Sequence, residues 1–504
     1  MQTEVRELVS AAEARFELLR RRSGLVLAPL VFAVLWWLPL SLERPAHRLA
    51  AVLGAVVVLW VTEAIPMAMT AFLGVAAAVV LRVAPAAQAF APFADPLIFL
   101  FIGTFMLAQA IFFHGLDRRF AFAILSLRGV GERPGRVLVA YAAVTCTLSM
   151  WISNTASTAM MFPIGASLLH VLESPRHGGR LPPAYATVLL LSTAFAASIG
   201  GLATPVGTPP NLIGIGFIRR ETGESLPFFS WMALGLPVVA LLLAVSLSDL
   251  WRRGVPRGAA LHGVAALIAE ERAALGPWTR GQVNTMMAFG GTVFFWILPG
   301  VVALIVGQEH VVYRQLVTTL PEGVVALLGA GLLFILPTDL GKHEFTLSWS
   351  EAVKIDWWIV FLYGGGIALG TLAFKTGLAE AMGRGLTDVL GVQSRLGLLA
   401  VSTAMATILS ETTSNTASAN MVVPVVIAFA RSTGIDPVLP AIGATMGASL
   451  GFMLPVSTPT NAIVYGSGRI PLTAMMRHGI VLDIVGVITI VLVVSLLGPV
   501  VLGG

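Results

Sequence analysis

The tripeptide Ser-Asn-Thr occurs twice inside apolar sequence, at 153–155 in SMWISNTAST and at 414–416 in SETTSNTASAN. Some tens of residues after each copy comes a second related pair, GTPPN at 207–211 and STPTN at 457–461. The copies stand 261 residues apart for the first motif (Ser153 to Ser414) and 250 for the second (Asn211 to Asn461), so one polar apparatus is duplicated across most of the chain. Duplicated halves with polar, Gly/Pro-broken segments at matching places are the sequence mark of a secondary transporter.

Composition sets the compartment. Of 504 residues, 57% are hydrophobic and 11% charged, with a mean hydropathy of +0.87, whereas a soluble globule carries about 25% charged residues. A span takes about 20 mostly apolar residues. Such stretches lie near 25–42, 47–62, 66–82, 96–116, 184–204, 230–250, 284–304, 321–338, 357–374, 437–455 and 479–501. The chain therefore reads as an all-α polytopic membrane protein with about 11 transmembrane helices. Residues 1–24, where Arg6, Arg15, Arg20, Arg21 and Arg22 mix with Glu4, Glu7, Glu13 and Glu17, read as a cytoplasmic amphipathic helix. They lack the basic start and small-residue cleavage site of a secretory signal.

Both Ser-Asn-Thr segments read as re-entrant hairpins. Residues 137–169 and 396–429 are apolar enough to enter a membrane, yet their centres are runs of small polar side chains. Such backbone is tolerated at depth only where protein or a water-filled cavity surrounds it. With the N-terminus cytoplasmic and the hairpins not crossing, 21 of the 31 Lys and Arg fall on the cytoplasmic side, as the positive-inside rule requires. The net charge of +5 then meets anionic lipid and calls for no nucleic-acid partner.

The second motif pair works through proline. In TPVGTPPN (204–211) and PVSTPTN (455–461) a proline removes a backbone donor and keeps its predecessor out of the helical region, so the span breaks in two. A break frees carbonyls, which coordinate hard cations such as Na+, and opens a helix N-terminus, whose positive dipole end holds anionic groups. No Lys, Arg or His lies within these motifs. A dianion held at the midplane would thus need bound Na+ or H+ beside the dipoles. Hydroxyls and amides do not titrate near neutrality, so any pH dependence is expected to follow the substrate's own ionisation.

Other residues weigh less. Glu411 reads as an exposed residue at the hairpin edge, Glu63 as a cap and scaffold contact, and Cys146 as a small core residue. Gly364–Gly366 reads as a site of close helix packing. The eight histidines show no metal-ligand spacing. A hydrolase using Ser153 or Ser414 would need an activating base that neither motif supplies.

With these motifs, WVTEAIPMAMTAFLG (60–74), DWWIVFLYGGGIALG (356–370) and MLPVSTPTNAIV (453–464), the chain from about residue 25 resembles the divalent anion/sodium symporter family, the sodium-dicarboxylate and sodium-sulfate cotransporters. The resemblance implies a homodimer in the cytoplasmic (inner) membrane, each protomer an inverted repeat with a fixed scaffold and an elevator-type transport domain. Residues 25–133 and 284–393 would be scaffold, 134–229 and 394–478 transport domain, 230–283 a span with a cytoplasmic loop, and 479–504 a final span. It implies a substrate site of Ser153, Asn154, Thr155, Ser414, Asn415 and Thr416, floored by Thr208, Pro209, Thr458 and Pro459. One Na+ would use Ser149, Ser153, Asn154 and Gly207; a second would use Ser410, Thr413, Asn415 and Ser457. Two departures bear on pocket shape: Thr460 replaces the second proline of the first repeat, and Ser457 stands opposite Gly207. The implied cargo is a C4-dicarboxylate with Na+; a dicarboxylate exchanger, or a sulfate or citrate carrier, shares the motifs.

Overall fold

The computed structural model describes residues 11–127, 129–173, 182–256, 263–390, 392 and 394–502; the start of the amphipathic segment, including Arg6, lies outside them. Among the described residues eight helices are long and apolar enough to cross a membrane, or nine when the bent pair Val311–Thr319 and Glu322–Ile335, meeting at 57°, counts as one span. Among the described residues the only strands form a small antiparallel ribbon, Pro337–Asp339 with Glu344–Phe345.

Most expected spans are single helices: Arg44–Thr62, Pro183–Gly200, Phe228–Gly254, Arg280–Val306, Trp357–Lys375 and Leu472–Leu502. Four differ in ways that proline and glycine explain. Ala11–Trp37 runs unbroken through residue 24, so the charged segment and the first span are one helix, stopped just before Pro39. Met67–Val80 is a 14-residue helix opened by Pro66. The stretch at 321–338 is helical only over Glu322–Ile335 and continues into the ribbon at Pro337. The stretch at 437–455 stays helical only over Val438–Gly447, because the second break already begins at Ala448.

Outward-facing apolar side chains are the rule here. Leu304 and Ile305 are each 75% exposed and Val500 74%, the inverse of a soluble surface and what a hydrocarbon solvent selects. Inside, the hairpin arms Pro134–Ser149 and Asn154–Glu173 both pack on Pro183–Gly200, and Arg395–Thr412 and Asn415–Ser432 both pack on Val438–Gly447. The arrangement repeats the sequence duplication in space. The triple glycine lies where helices touch: a Cβ at Gly365 would collide with Ala71, and one at Gly366 with Asn420 Oδ1. Glu63 ends Arg44–Thr62 in a left-handed conformation, φ 48°, and pairs with Arg20 at 2.9 Å.

Candidate functional site

Each hairpin turns just before its Ser-Asn-Thr motif, whose serine starts the next helix. Ser153 Oγ accepts the Ala156 amide at 3.3 Å, and Ser414 Oγ accepts the Ala417 amide at 3.2 Å. This is N-terminal capping, which satisfies one orphan donor of the following helix. The asparagines Asn154 and Asn415 then sit at the helix N-termini, each reaching back to a serine in the last turn of the preceding arm. Ser149 Oγ lies 2.8 Å from the Asn154 amide and Ser410 Oγ 2.7 Å from Asn415 Oδ1.

The broken helices supply the other wall. The first leaves its helix at Gly200 and resumes at Pro209–Thr222; the second leaves at Gly447 and resumes at Pro459–Tyr465. Asn211 Nδ2 donates to the Gly201 and Thr204 carbonyls, both at 2.8 Å, and Asn461 Nδ2 donates to the Gly451 and Leu454 carbonyls, both at 3.0 Å. The two asparagines hold their break loops in the same shape, 250 residues apart.

Two oxygen-rich clusters result. In the first, one terminal atom of the Asn154 carboxamide lies 2.8 Å from Ser149 Oγ, 3.1 Å from the Ala197 carbonyl and 3.3 Å from the Gly207 carbonyl. That atom is nitrogen when it donates to the carbonyls; turned about, the amide brings a third type of oxygen to the same point, the donor set of a hard monovalent cation. In the second, Ser410 Oγ lies between Asn415 Oδ1 and the Ala448 carbonyl, the latter at 2.8 Å, while Asn415 Nδ2 reaches the Ser449 carbonyl at 3.4 Å. Ser149, Ser410, Gly207 and Ser457 are all buried. Ser457 Oγ donates to the Gly451 and Leu454 carbonyls at 3.0 and 2.8 Å, so the residue opposite Gly207 ties its own loop.

The two halves are not equivalent around the anion candidates. Thr155 and Pro459 are exposed, Ser153, Asn154, Pro209, Ser414 and Asn415 half-buried, and Thr208, Thr416 and Thr458 buried. The second tip is covered by the turn between Arg44–Thr62 and Met67–Val80: Thr413 Oγ1 reaches the Trp60 carbonyl at 3.4 Å and Ser414 Oγ the Met67 sulfur at 3.1 Å. The helices that follow the breaks and the tips pack in two crossed pairs, Pro209–Thr222 against Asn415–Ser432 and Pro459–Tyr465 against Asn154–Glu173. Their summed positive ends suit carboxylates. Neither serine of the motifs meets a general base.

Glu411 departs from expectation. It is buried, 4% exposed, with its carboxylate accepting the Met453 and Leu454 amides at 2.9 and 3.2 Å. The position before the tip faces the second break, which supplies two free amides; nothing local in SETTSNT announces that partner. The sequence reading also missed Ala197 and Ala448, whose carbonyls enter the clusters. Their signal is positional: Ala448 follows the last turn of Val438–Gly447, where the break removes the next backbone donor, and Ala197 lies in the last turn of Pro183–Gly200, its carbonyl already accepting the Gly201 amide at 3.1 Å. Cys146 is buried and free as expected.

The profile of a family described as sodium:sulfate symporter transmembrane region matches residues 20–503. A sodium-dependent dicarboxylate transporter SdcS of Staphylococcus saprophyticus is 33% identical over 488 residues, covering 95% of this chain and 92% of its own. The one of Staphylococcus aureus strain MRSA252 is 32% identical over 491 residues, with the same coverage. Among solved structures, the YdaH transporter of Alcanivorax borkumensis, described as having an unusual topology, aligns with a TM-score of 0.52 over 96% of this chain and 98% of its own. At 15% identity that likeness bears on the fold alone.

Proposed function

The chain belongs to the sodium:sulfate symporter family, a membrane transporter and not an enzyme, and on that premise we propose that it is a sodium-coupled symporter importing C4-dicarboxylates such as succinate, malate or fumarate. The observation that carries the reading is the pair of oxygen clusters, Ser149–Asn154 with the Ala197 and Gly207 carbonyls, and Ser410–Asn415 with the Ala448 carbonyl. Each lies beside a helix N-terminus that can hold a carboxylate. In this reading Ser153, Asn154 and Thr155, with Ser414, Asn415 and Thr416, face the two carboxylates, and Thr208, Pro209, Thr458 and Pro459 close the floor. Ser153, Gly207, Thr413 and Ser457 complete the two Na+ sites. Sodium offsets the dianion's charge in a region without a basic side chain.

The duplication supports alternating access by movement of both hairpins and both broken helices together against the remaining helices, an elevator. A homodimer in the cytoplasmic membrane, N-terminus inside, suits the apolar outer faces and the Lys/Arg bias. Counterflow of labelled succinate in proteoliposomes tests the proposal. Accumulation is expected only with an inward Na+ gradient; uptake indifferent to Na+ but driven by internal dicarboxylate would make the protein an exchanger of the same fold.

A further inference from the structure

A groove that has no part in the site above lies where the helix Pro134–Ser149 begins and the span Phe228–Gly254 ends. The two ends are in contact: a Cβ at Gly135 would run into the Trp251 ring, so only glycine lets the indole lie against the start of the hairpin arm. The groove beside it, about 300 Å³, is lined by Val139, Leu247, Ser248, Trp251 and Arg252. It grades from charged to apolar along both helices. Arg136 and Val139, three residues apart, share a face of the hairpin arm, and Leu247, Ser248, Trp251 and Arg252, spaced by three and four, share a face of the span. The guanidinium groups therefore stand at the helix ends and the aliphatic side chains a turn further in. Val139, Ser248, Trp251 and Arg252 are exposed.

The positive charge of the groove is uncompensated. No acidic residue lines it. Asp249, the nearest acid along the span, is held by Arg253 at 2.6 Å and His478 at 2.5 Å. Other arginines of the same basic stretches are engaged within the protein: Arg118 by Glu271, Arg119 by the carbonyls of Leu275, Gly276 and Pro277, and Arg272 by Ser126. Among the described residues neither the Arg252 guanidinium nor the Trp251 N–H has a partner. Ser248 donates its proton to the Ala244 carbonyl at 2.7 Å, which leaves its oxygen free to accept.

We propose that this groove binds one anionic phospholipid with a hydroxyl-bearing headgroup, of the phosphatidylglycerol kind. The phosphate accepts from the Arg252 guanidinium and the Trp251 N–H, a headgroup hydroxyl donates to Ser248 Oγ, and an acyl chain runs over Leu247 and Val139 toward the middle of the membrane. Arginine matches phosphate through paired N–H bonds, and tryptophan places its polar edge at headgroup level and its ring in the apolar layer. A zwitterionic lipid would bring an ammonium group to a groove of guanidinium groups without a carboxylate, so charge selects the anionic one. The net positive charge draws anionic lipid to that face in general; the groove holds one molecule at a fixed place. On the elevator reading the groove rides with the first hairpin, so the headgroup meets the interface at one end of the stroke and the lipid favours that register.

Quenching of tryptophan fluorescence by lipids brominated on their acyl chains tests the site without transport, and stands even if the proposed substrate or coupling ion is wrong. The full-length protein is placed in phosphatidylcholine bilayers holding the same small fraction of brominated phosphatidylglycerol or brominated phosphatidylcholine, and the Trp251 share is taken as the difference from Trp251→Phe. Brominated phosphatidylglycerol is expected to quench that share several-fold more. Arg252→Gln is expected to remove most of this preference, and Arg22→Gln, at an exposed arginine of Ala11–Trp37, to leave it unchanged. Equal quenching by the two lipids would make the groove ordinary lipid boundary, and an equal loss in Arg22→Gln would make the preference a general effect of surface charge; either overturns the proposal. Uptake is then expected to vary with the phosphatidylglycerol fraction in the unsubstituted protein and not in Arg252→Gln; the same dependence in both overturns the lipid's part in movement.

Discussion

Ser198 and Thr460 share a hydrogen bond, 3.1 Å between their hydroxyls, across the seam between the first broken helix and the second. Thr460 occupies the place where the first repeat has Pro210, and it also meets Thr458 Oγ1 at 2.7 Å. The departure from strict repetition thus converts a ring into a hydroxyl bridge between the halves. Thr460→Val is expected to leave a buried hydroxyl unpartnered at a cost of about 1–3 kcal/mol. The measurement is the midpoint of thermal unfolding in detergent; an unchanged midpoint would show that the bridge contributes nothing.

In the proposed function the tips carry the coupling. Asn154 and Asn415 each join a serine hydroxyl to a freed carbonyl through one amide. Alanine at either is expected to abolish uptake while the protein still elutes from size exclusion at the volume of the unsubstituted protein. Near-normal transport by both variants would remove the tips from the site.

Two oxygen clusters predict more than one Na+ per cycle. Uptake is expected to rise sigmoidally with Na+ and, if a third positive charge accompanies the dianion, to respond to membrane potential. A hyperbolic Na+ dependence with no response to potential counts against two coupled sites.

Movement is testable at the glycine contact. A Cβ at Gly366 on Trp357–Lys375 would collide with Asn420 on the second hairpin, so the two backbones approach as disulfide-linked residues do. In a Cys146→Ser background, Gly366→Cys with Asn420→Cys is expected to cross-link and to stop transport reversibly. Scanning the second cysteine partner along Trp357–Lys375 is expected to find another cross-linking register at least a turn away. A single register under all gradients would replace the elevator with local gating of the hairpins.

Under the proposed elevator, Asp95 acts as a latch. It caps Pro96–Phe113 through the Leu97 amide and receives Arg219, from the last turn of Pro209–Thr222, at 2.8 and 3.0 Å, with Tyr363 at 3.3 Å. Asp95→Asn keeps the cap but weakens the ion pair, and is expected to shift the cross-linking yield toward the second register. An unchanged distribution would make the pair a fixed structural contact.

What the sequence determined by itself was whatever is written locally and twice. Ser153 and Ser414 announce hairpin tips because a hydroxyl that caps a helix needs only residues three positions on. Pro209 and Pro459 announce breaks because a missing N–H acts on its own turn. The spans are legible from hydropathy since lipid leaves the backbone no partner but itself. What tertiary structure decided is whatever depends on a partner far along the chain. Glu411 reads as an exposed edge until the Met453 and Leu454 amides, some 42 residues later, are folded against it. The first helix reads as two segments because its charges end near residue 24, yet it stays one helix, since α-helical hydrogen bonds are indifferent to whether side chains face water or lipid. Ala197 and Ala448 have no side chain to advertise a role; their carbonyls become ligand candidates only when the fold brings an asparagine or serine of the hairpin against the helix end that carries them.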